Sequence, residues 1–127
     1  NHVPYKKIPK LLGRSKVLLM PYEKKIGVLI KNIDVSNYIS PLKMFDYLSS
    51  GSQIIASKKK SYSHILKHKY NCFMVRDESI GEWIKYIKIS LKNKNKNNRV
   101  IVTNALKTAK KFTWLKRANK IVEFAKN

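Results

Sequence analysis

The chain has 127 residues, enough for one domain with one hydrophobic core. Its hydrophobic content of 43% argues against disorder, and its single cysteine, Cys72, excludes an internal disulfide and fits a reducing compartment. The apolar runs are much shorter than the roughly 20 residues of a membrane-spanning helix, and the start at Asn1 is neither an initiator methionine nor a signal peptide. We therefore expect a cytoplasmic domain that is truncated at its N-terminus.

The formal net charge of +21 has two interpretations. Lysine supplies 24 of the 28 basic residues, a bias typical of AT-rich coding sequence and compatible with a solvated surface of no special function. The alternative is a basic face that attracts anionic lipid headgroups, acidic acceptors or nucleic acid. If the attraction is to lipid headgroups, we expect the protein to be peripheral at the inner face of the membrane.

The first half of the chain alternates between predicted helices and strands. Apolar spacing predicts a helix over residues 8–14, followed by a strand over residues 16–20 and a long loop over residues 21–39. A helix beginning at Ser40 leads into a second strand, Gln53–Ser57, whose lack of alternation is typical of a strand covered on both faces. A short helix over residues 62–67 and a third strand over residues 72–75 follow.

Three amphipathic helices are predicted to complete the chain. Their apolar stripes begin near Ile80, Val102 and Trp114, and a Lys/Asn tract over residues 92–98 reads as a solvated connection. Trp83 and Trp114 are expected to be core anchors. Strands that alternate with helices predict an α/β fold, a Rossmann-like parallel sheet with flanking helices. Since three strands are few for such a sheet, we expect the rest of it to precede Asn1.

Residues 40–46 form the segment best suited to bind a ligand. A hydroxyl N-cap at Ser40 and a proline at the first helical position, Pro41, predict a helix start. The unpaired backbone N–H groups of Leu42 and Lys43, at the positive end of the helix dipole, suit a phosphate. Asp46 lies one turn further on the same side and can accept ribose hydroxyls. The simpler interpretation is an ordinary capped helix on which Asp46 pairs with Lys43.

The stretch S-P-L-K-M-F-D-Y-L-S-S-G-S-Q-I-I-A-S, residues 40–57, resembles the S-P-x-K-x-F-E-Y-x-x-x-G-x-P-I-I-A-S segment of family 4 glycosyltransferases. In that family the segment belongs to the C-terminal domain of a GT-B fold. Residues 8–22, 64–75 and 112–118 resemble other parts of the same domain, in the same order. Four matches in sequence order make the resemblance fairly specific.

The resemblance implies an enzyme of hexosyltransferase type that transfers a sugar from a nucleotide-diphosphate donor to an acceptor, in glycan or cell-envelope polysaccharide or lipid synthesis. It implies neither a metal nor a cofactor besides this donor substrate, and it identifies no catalytic residue. Asp46 matches the ribose-binding acidic residue of the family's E-x7-E motif, whereas Tyr38 occupies the place of the first acidic residue. The residues implied in donor binding are Ser40, Pro41, Leu42, Lys43 and Asp46, with Tyr22 and Tyr38 as further candidates.

The resemblance also implies a partner domain. Residues 1–127 correspond to a nucleotide-sugar-binding domain that is inactive alone, and the terminal helix over residues 113–127 would pack toward a missing N-terminal, acceptor-binding domain. Part of the helix's apolar stripe should then be exposed in this chain.

Two other functions remain as alternatives, a basic nucleic-acid-binding module and a GT-B-fold enzyme of other chemistry such as a sugar-nucleotide epimerase. The first is disfavoured because the sequence has no RNP-like aromatic strand, GXXG loop or Cys/His finger. The spacing of His64, His68 and Cys72 resembles a zinc-ligand pattern, but the helix is expected to end before Cys72, so we expect no metal there. The run Lys58–Lys60 is interpreted as a solvated loop.

Overall fold

The computed structural model describes residues 3–22, 40–92 and 96–126. Short 3-10 turns at Tyr5–Lys7 and Lys60–Tyr62 accompany the regular elements of this described part. In chain order these elements are α1 (Ile8–Arg14), β1 (Val17–Met20), α2 (Lys43–Ser49), β2 (Gln53–Ser57), β3 (Phe73–Val75), α3 (Ile80–Leu91), α4 (Lys96–Ala109) and α5 (Trp114–Ala125).

The three described strands form one parallel sheet in the order β1-β2-β3. Leu18 pairs with Ile54, and Ile55 pairs with Phe73, so β2 is the central strand. All five of its residues are buried, as its lack of apolar and polar alternation predicts for a strand covered on both faces. The predicted α/β, Rossmann-like parallel sheet is therefore confirmed.

Hydrophobic cores lie on both faces of this sheet. Ile54 packs with Met44 and Leu48 of α2, whereas its neighbour Ile55 joins Phe73 in a second core, because successive strand residues point to opposite faces. Trp83 of α3 packs partly buried against the second core, as expected for a core anchor. Each large apolar side chain that is fully buried in this way contributes roughly 1.5–3 kcal/mol to folding.

The start of α2 differs from the prediction. The helix begins at Lys43, its N-cap position is Leu42, and no side chain caps it, so the predicted Ser40 cap is wrong. A tight turn precedes the helix instead, in which the Met44 N–H donates to the Pro41 carbonyl and the Phe45 N–H donates to the Leu42 carbonyl, both at 3.0 Å. Pro41 is buried and lies two positions before Lys43, so it belongs to this turn rather than to the first turn of the helix.

The helix predicted over residues 62–67 is also wrong. A 3-10 turn at Lys60–Tyr62 and irregular turns replace it. The reason is the buried side chain of Asn71, which accepts a hydrogen bond from the Lys67 N–H and donates one to the Ile65 carbonyl, both at 2.8 Å. These side-chain bonds satisfy backbone groups that an α-helix would otherwise pair.

Two predictions about the C-terminal region need correction. The helix α4 already begins at Lys96, so the predicted solvated connection is wrong for its last three residues, and Asn98 donates to the Ile89 carbonyl at 2.8 Å. Trp114 is 78% exposed and is not a core anchor, because no residue of α5 is buried by the described part of the chain. The predicted loop over residues 21–39 lies outside the described residues from position 23 onward. Within the described ranges, no helix has both the length and the apolar character needed to cross a bilayer.

Candidate functional site

The carboxyl ends of the three strands lie at one edge of the sheet, where open α/β folds bind ligands. At this edge Tyr22, two residues beyond β1, is joined to Ser57, the last residue of β2. The Ser57 hydroxyl accepts a hydrogen bond from the Tyr22 N–H at 2.8 Å and donates one to the Tyr22 carbonyl at 3.1 Å. Ser57 is 1% exposed, so these bonds are largely shielded from water. The backbone of Tyr22 is thereby held at the carboxyl edge.

A second tyrosine, Tyr62, contacts both Ser57 and Tyr22 at this corner. The Tyr62 hydroxyl donates to the Ser57 carbonyl at 2.6 Å, and its ring centroid lies 6.4 Å from that of Tyr22. Burial raises the pKa of Tyr62 above its usual range, so its hydroxyl keeps its proton and remains a donor at physiological pH. Sequence reasoning missed Tyr62, although a buried tyrosine needs a partner for its hydroxyl.

The start of α2 lies beside the same corner. The Lys43 ammonium nitrogen lies 4.9 Å from the centroid of the Tyr22 ring, within the range of a cation–π contact. The structure therefore brings two of the predicted site residues into direct contact. Leu42, Lys43 and Asp46 are exposed, Tyr22 is half-buried, and Ser40 is exposed on the approach to Pro41. Tyr38 lies outside the described residues.

The arrangement combines a cation, a carboxylate and an aromatic ring in a small space. Lys43 and Asp46 are both in the first turn of α2 and three residues apart, so they lie on neighbouring positions of one helix face. An exposed ammonium group suits a phosphate oxygen, and an exposed carboxylate accepts hydrogen bonds from hydroxyl groups. Together they suit a ligand that carries both phosphate and vicinal hydroxyls.

A buried ion pair at the same edge was not predicted. Lys59 belongs to the run interpreted as a solvated loop, but it is only 6% exposed, and its ammonium nitrogen lies 2.5 Å from a carboxylate oxygen of Asp77. The prediction holds for Lys58 and Lys60, which are exposed, and is wrong for Lys59. The signal in the sequence was Asp77 itself, because a carboxylate two residues after a buried strand lies at the edge that the loop after β2 also reaches. The pair links the ends of β2 and β3.

The His64, His68 and Cys72 pattern does not form a metal site in the described part of the chain, where no group of three His, Cys, Asp or Glu side chains is placed to hold a metal. His68 instead makes hydrogen-bond contacts with Met74 and Tyr86. Its Nδ1 accepts from the Met74 N–H at 3.0 Å, and its Nε2 lies 3.3 Å from the Tyr86 hydroxyl. Cys72 is fully buried, and burial raises the pKa of its thiol to about 12, so the thiol is neutral.

Comparisons with known proteins give a structural likeness only. No protein-family model matches the chain, and no curated protein matches it in sequence. Two crystal structures of Anabaena Alr3699/HepE, one in complex with UDP-glucose and one with UDP and glucose, each superpose on 94% of the chain with a TM-score of 0.73 and 15% identity.

The chain spans 29% of the length of HepE, so it corresponds to a part of that protein. An identity of 15% is too low to show shared function, but the TM-score and coverage show that the two share a fold over nearly the whole of this chain. The fold is the α/β, Rossmann-like arrangement of a parallel sheet with flanking helices, as found in this nucleotide-sugar-binding neighbour.

Proposed function

We propose that this chain is the donor-binding part of a GT-B glycosyltransferase and that it binds a nucleotide-diphosphate sugar at the carboxyl edge of its sheet. The observation that carries the proposal is the superposition of 94% of the chain on a protein whose crystal structures contain UDP-glucose or UDP and glucose. The S-P-x-K-x-F-D segment is consistent with it, because the corner that Tyr22 forms with Lys43 lies at the edge where such folds bind ligands.

The roles proposed for the side chains follow from their chemistry. The Lys43 ammonium binds the diphosphate, and the Asp46 carboxylate accepts hydrogen bonds from the ribose hydroxyls. Leu42 and Ser40 line the approach to the phosphates through their backbone, and buried Pro41 fixes the turn that presents them. Tyr22 holds the Lys43 side chain in place through the cation–π contact, and the exposed part of the Tyr22 side chain contacts the donor.

In a sugar transfer the diphosphate departs with the electron pair of the glycosidic bond, so negative charge accumulates on it. A cation beside the leaving group lowers the barrier, and this is the electrostatic contribution we assign to Lys43. The acceptor, the residue that activates it and the stereochemical outcome belong to the complete enzyme. A chain that spans 29% of its neighbour is proposed to act together with an acceptor-binding domain.

The surface of α5 supports such a domain partner. Trp114 and Phe124 are 78% and 85% exposed, and Leu115, Ile121 and Val122 on the same helix are also exposed. Large apolar side chains grouped in this way mark an interaction surface. We assign this surface to the acceptor-binding domain of the same enzyme, which agrees with the expectation that the terminal helix packs outside the chain's own core.

Calorimetric titration of the chain with UDP, GDP, ADP and TDP tests the proposal. We expect one of these nucleotides to bind saturably. The nucleotide sugar with the same base should bind as well. Lys43→Gln should weaken this binding about tenfold, the value of one charge-assisted hydrogen bond. Lys107→Gln, which removes an exposed charge from α4, is the matched control and should leave the affinity unchanged. Binding of random duplex DNA without binding of any nucleotide would refute the proposal in favour of a nucleic-acid module.

A further inference from the structure

A pocket lies at the opposite, amino-terminal edge of the sheet. It has a volume of about 440 Å³ and is bordered by the start of β2, the residue before β1, the end of α3 and the start of α4. We call it the amino-edge pocket and define it by Lys16, Gln53, Ser90, Lys92, Asn98 and Arg99. Its volume is within the range of small-molecule sites. Because Gln53 begins the strand that Ser57 ends, the length of β2 separates it from the Tyr22 corner.

Buried polar atoms without partners are concentrated around this pocket. In the described part of the chain, six buried side-chain nitrogen and oxygen atoms have no hydrogen-bond partner, and four of them belong to Gln53, Ser90 and Asn98. Gln53 is 4% exposed, yet neither its amide nitrogen nor its amide oxygen is bonded. Native structures rarely leave such groups unpaired, because each costs free energy comparable to a lost hydrogen bond. An unpaired amide at the first position of the central strand needs an explanation.

The charged residues that line the pocket are all basic. Lys16, Lys92 and Arg99 border it, and none of the described residues that line it carries a carboxylate. Lys16 and Arg99 are exposed, so their long side chains are able to rearrange around a ligand. Three cations without a counter-charge favour an anion. The amide oxygens of Gln53 and Asn98 accept hydrogen bonds, so they require a ligand that also carries donors such as hydroxyl groups.

We infer that the amino-edge pocket binds a small phosphorylated sugar or polyol, with the phosphate on Arg99, Lys16 and Lys92 and the hydroxyls on the amides of Gln53 and Asn98. Gln53 and Asn98 both line the pocket, so their unpaired amide atoms are available to the hydroxyls of a ligand bound there. This site is separate from the donor site proposed above and does not depend on it.

Nuclear magnetic resonance titration of the isotopically labelled chain with glucose 6-phosphate tests the inference, with inorganic phosphate and glucose as separate arms. We expect saturable shifts of the Gln53 and Asn98 side-chain amide signals, and an affinity for glucose 6-phosphate about tenfold higher than for phosphate alone. Glucose should produce no saturable shifts. Shifts confined to Tyr22 and Lys43 would instead place the ligand at the donor site and overturn the inference.

Two variants separate a built site from general attraction by the positive charge. Arg99→Gln should weaken glucose 6-phosphate binding about tenfold, whereas Arg117→Gln, an equal charge change on α5, should leave it unchanged. Equal losses in both variants, or equal affinities for phosphate and glucose 6-phosphate, would show a nonspecific anion effect and overturn the inference. Gln53→Leu, which keeps the side-chain size, should abolish the preference for the sugar phosphate over phosphate. Failure of nucleotides to bind at the carboxyl edge would leave these outcomes unaffected.

Discussion

Replacement of Ser57 by alanine tests the corner that positions Tyr22. The variant loses the bond from the Tyr22 N–H and the bond to the Tyr22 carbonyl, while its backbone carbonyl still accepts from the Tyr62 hydroxyl. Since a hydrogen bond contributes about 1 kcal/mol net and no cavity larger than one oxygen remains, we expect a loss of about 2 kcal/mol in the free energy of unfolding. Tyr22 is half-buried, so water replaces part of the lost bonding and the value should not exceed about 3 kcal/mol.

Urea unfolding followed by circular dichroism measures this change. With a denaturant slope of about 2 kcal/mol/M, the midpoint should fall by about 1 M with the slope unchanged. Ser63→Ala is the matched control, because the Ser63 hydroxyl donates only to the Lys60 carbonyl on the exposed surface. It should shift the midpoint by less than about 0.25 M, as surface substitutions usually do. A Ser57→Ala midpoint within that same limit would refute the proposed anchoring of Tyr22.

Three further predictions concern the buried residues Asn71 and Cys72 and the exposed histidine His68. Asn71→Leu removes bonds to the Lys67 N–H, the Ile65 carbonyl and the Thr108 hydroxyl, so unfolding measurements should show a loss of about 3 kcal/mol. Thr108→Val removes the bond from Asn71 and the bond to the Asn104 carbonyl and should cost about 2 kcal/mol, so a Thr108→Val loss as large as that of Asn71→Leu would contradict this ranking. The buried Cys72 thiol, whose pKa is raised to about 12, should resist iodoacetamide at pH 8 in the folded chain and react in urea; rapid labelling of the folded chain would contradict the burial. Burial lowers the pKa of His68 below its usual 6.5, so the unfolded chain takes up the proton first and stability should fall as the pH drops below about 6.5. His68→Gln should weaken this dependence between about pH 7.5 and 5.5, and an unchanged pH profile of unfolding would contradict it.

The parallel sheet was predictable because the residue pattern of its central strand indicates burial on both faces. Gln53–Ser57 has no alternation, and the structure buries all five of its residues. The predicted helix over residues 8–14 and the strand near residues 16–20 are also confirmed, as α1 and β1. Apolar residues at regular spacing determine these elements locally, so no tertiary information was needed.

The errors have different causes. Asn71 lies four positions after Lys67, and its side chain takes the backbone groups of Lys67 and Ile65 that the predicted helix would use, so this error has a local cause. Lys59 is buried because Asp77, eighteen positions later, lies at the same edge of the sheet. Trp114 lies on an apolar helical stripe, as core residues do, but it is 78% exposed. An apolar stripe does not indicate whether the helix packs on its own domain or on another surface.

The candidate donor site was predictable only in part. The motif indicated Lys43 and Asp46, and the fold explains why the start of α2 lies at the carboxyl edge. The contact between Lys43 and Tyr22 was not derivable, because it depends on how Ser57 and Tyr62 hold the chain after β1. Binding by these residues remains a prediction, as does any role for Tyr38.

The order β1-β2-β3 has a consequence for how the chain folds. Ile55 and its partner Phe73 are separated by 18 positions, whereas Leu18 and Ile54 are separated by 36. Doubling the length of a closed loop costs about 0.6 kcal/mol more in chain entropy, so the pairing of β2 with β3 is expected to form first and β1 to join later. Pulsed hydrogen exchange should then protect Ala56 before Leu18. Both the Tyr22 corner and the amino-edge pocket include residues next to β1, so on this route each of these proposed sites is completed only when β1 joins the sheet.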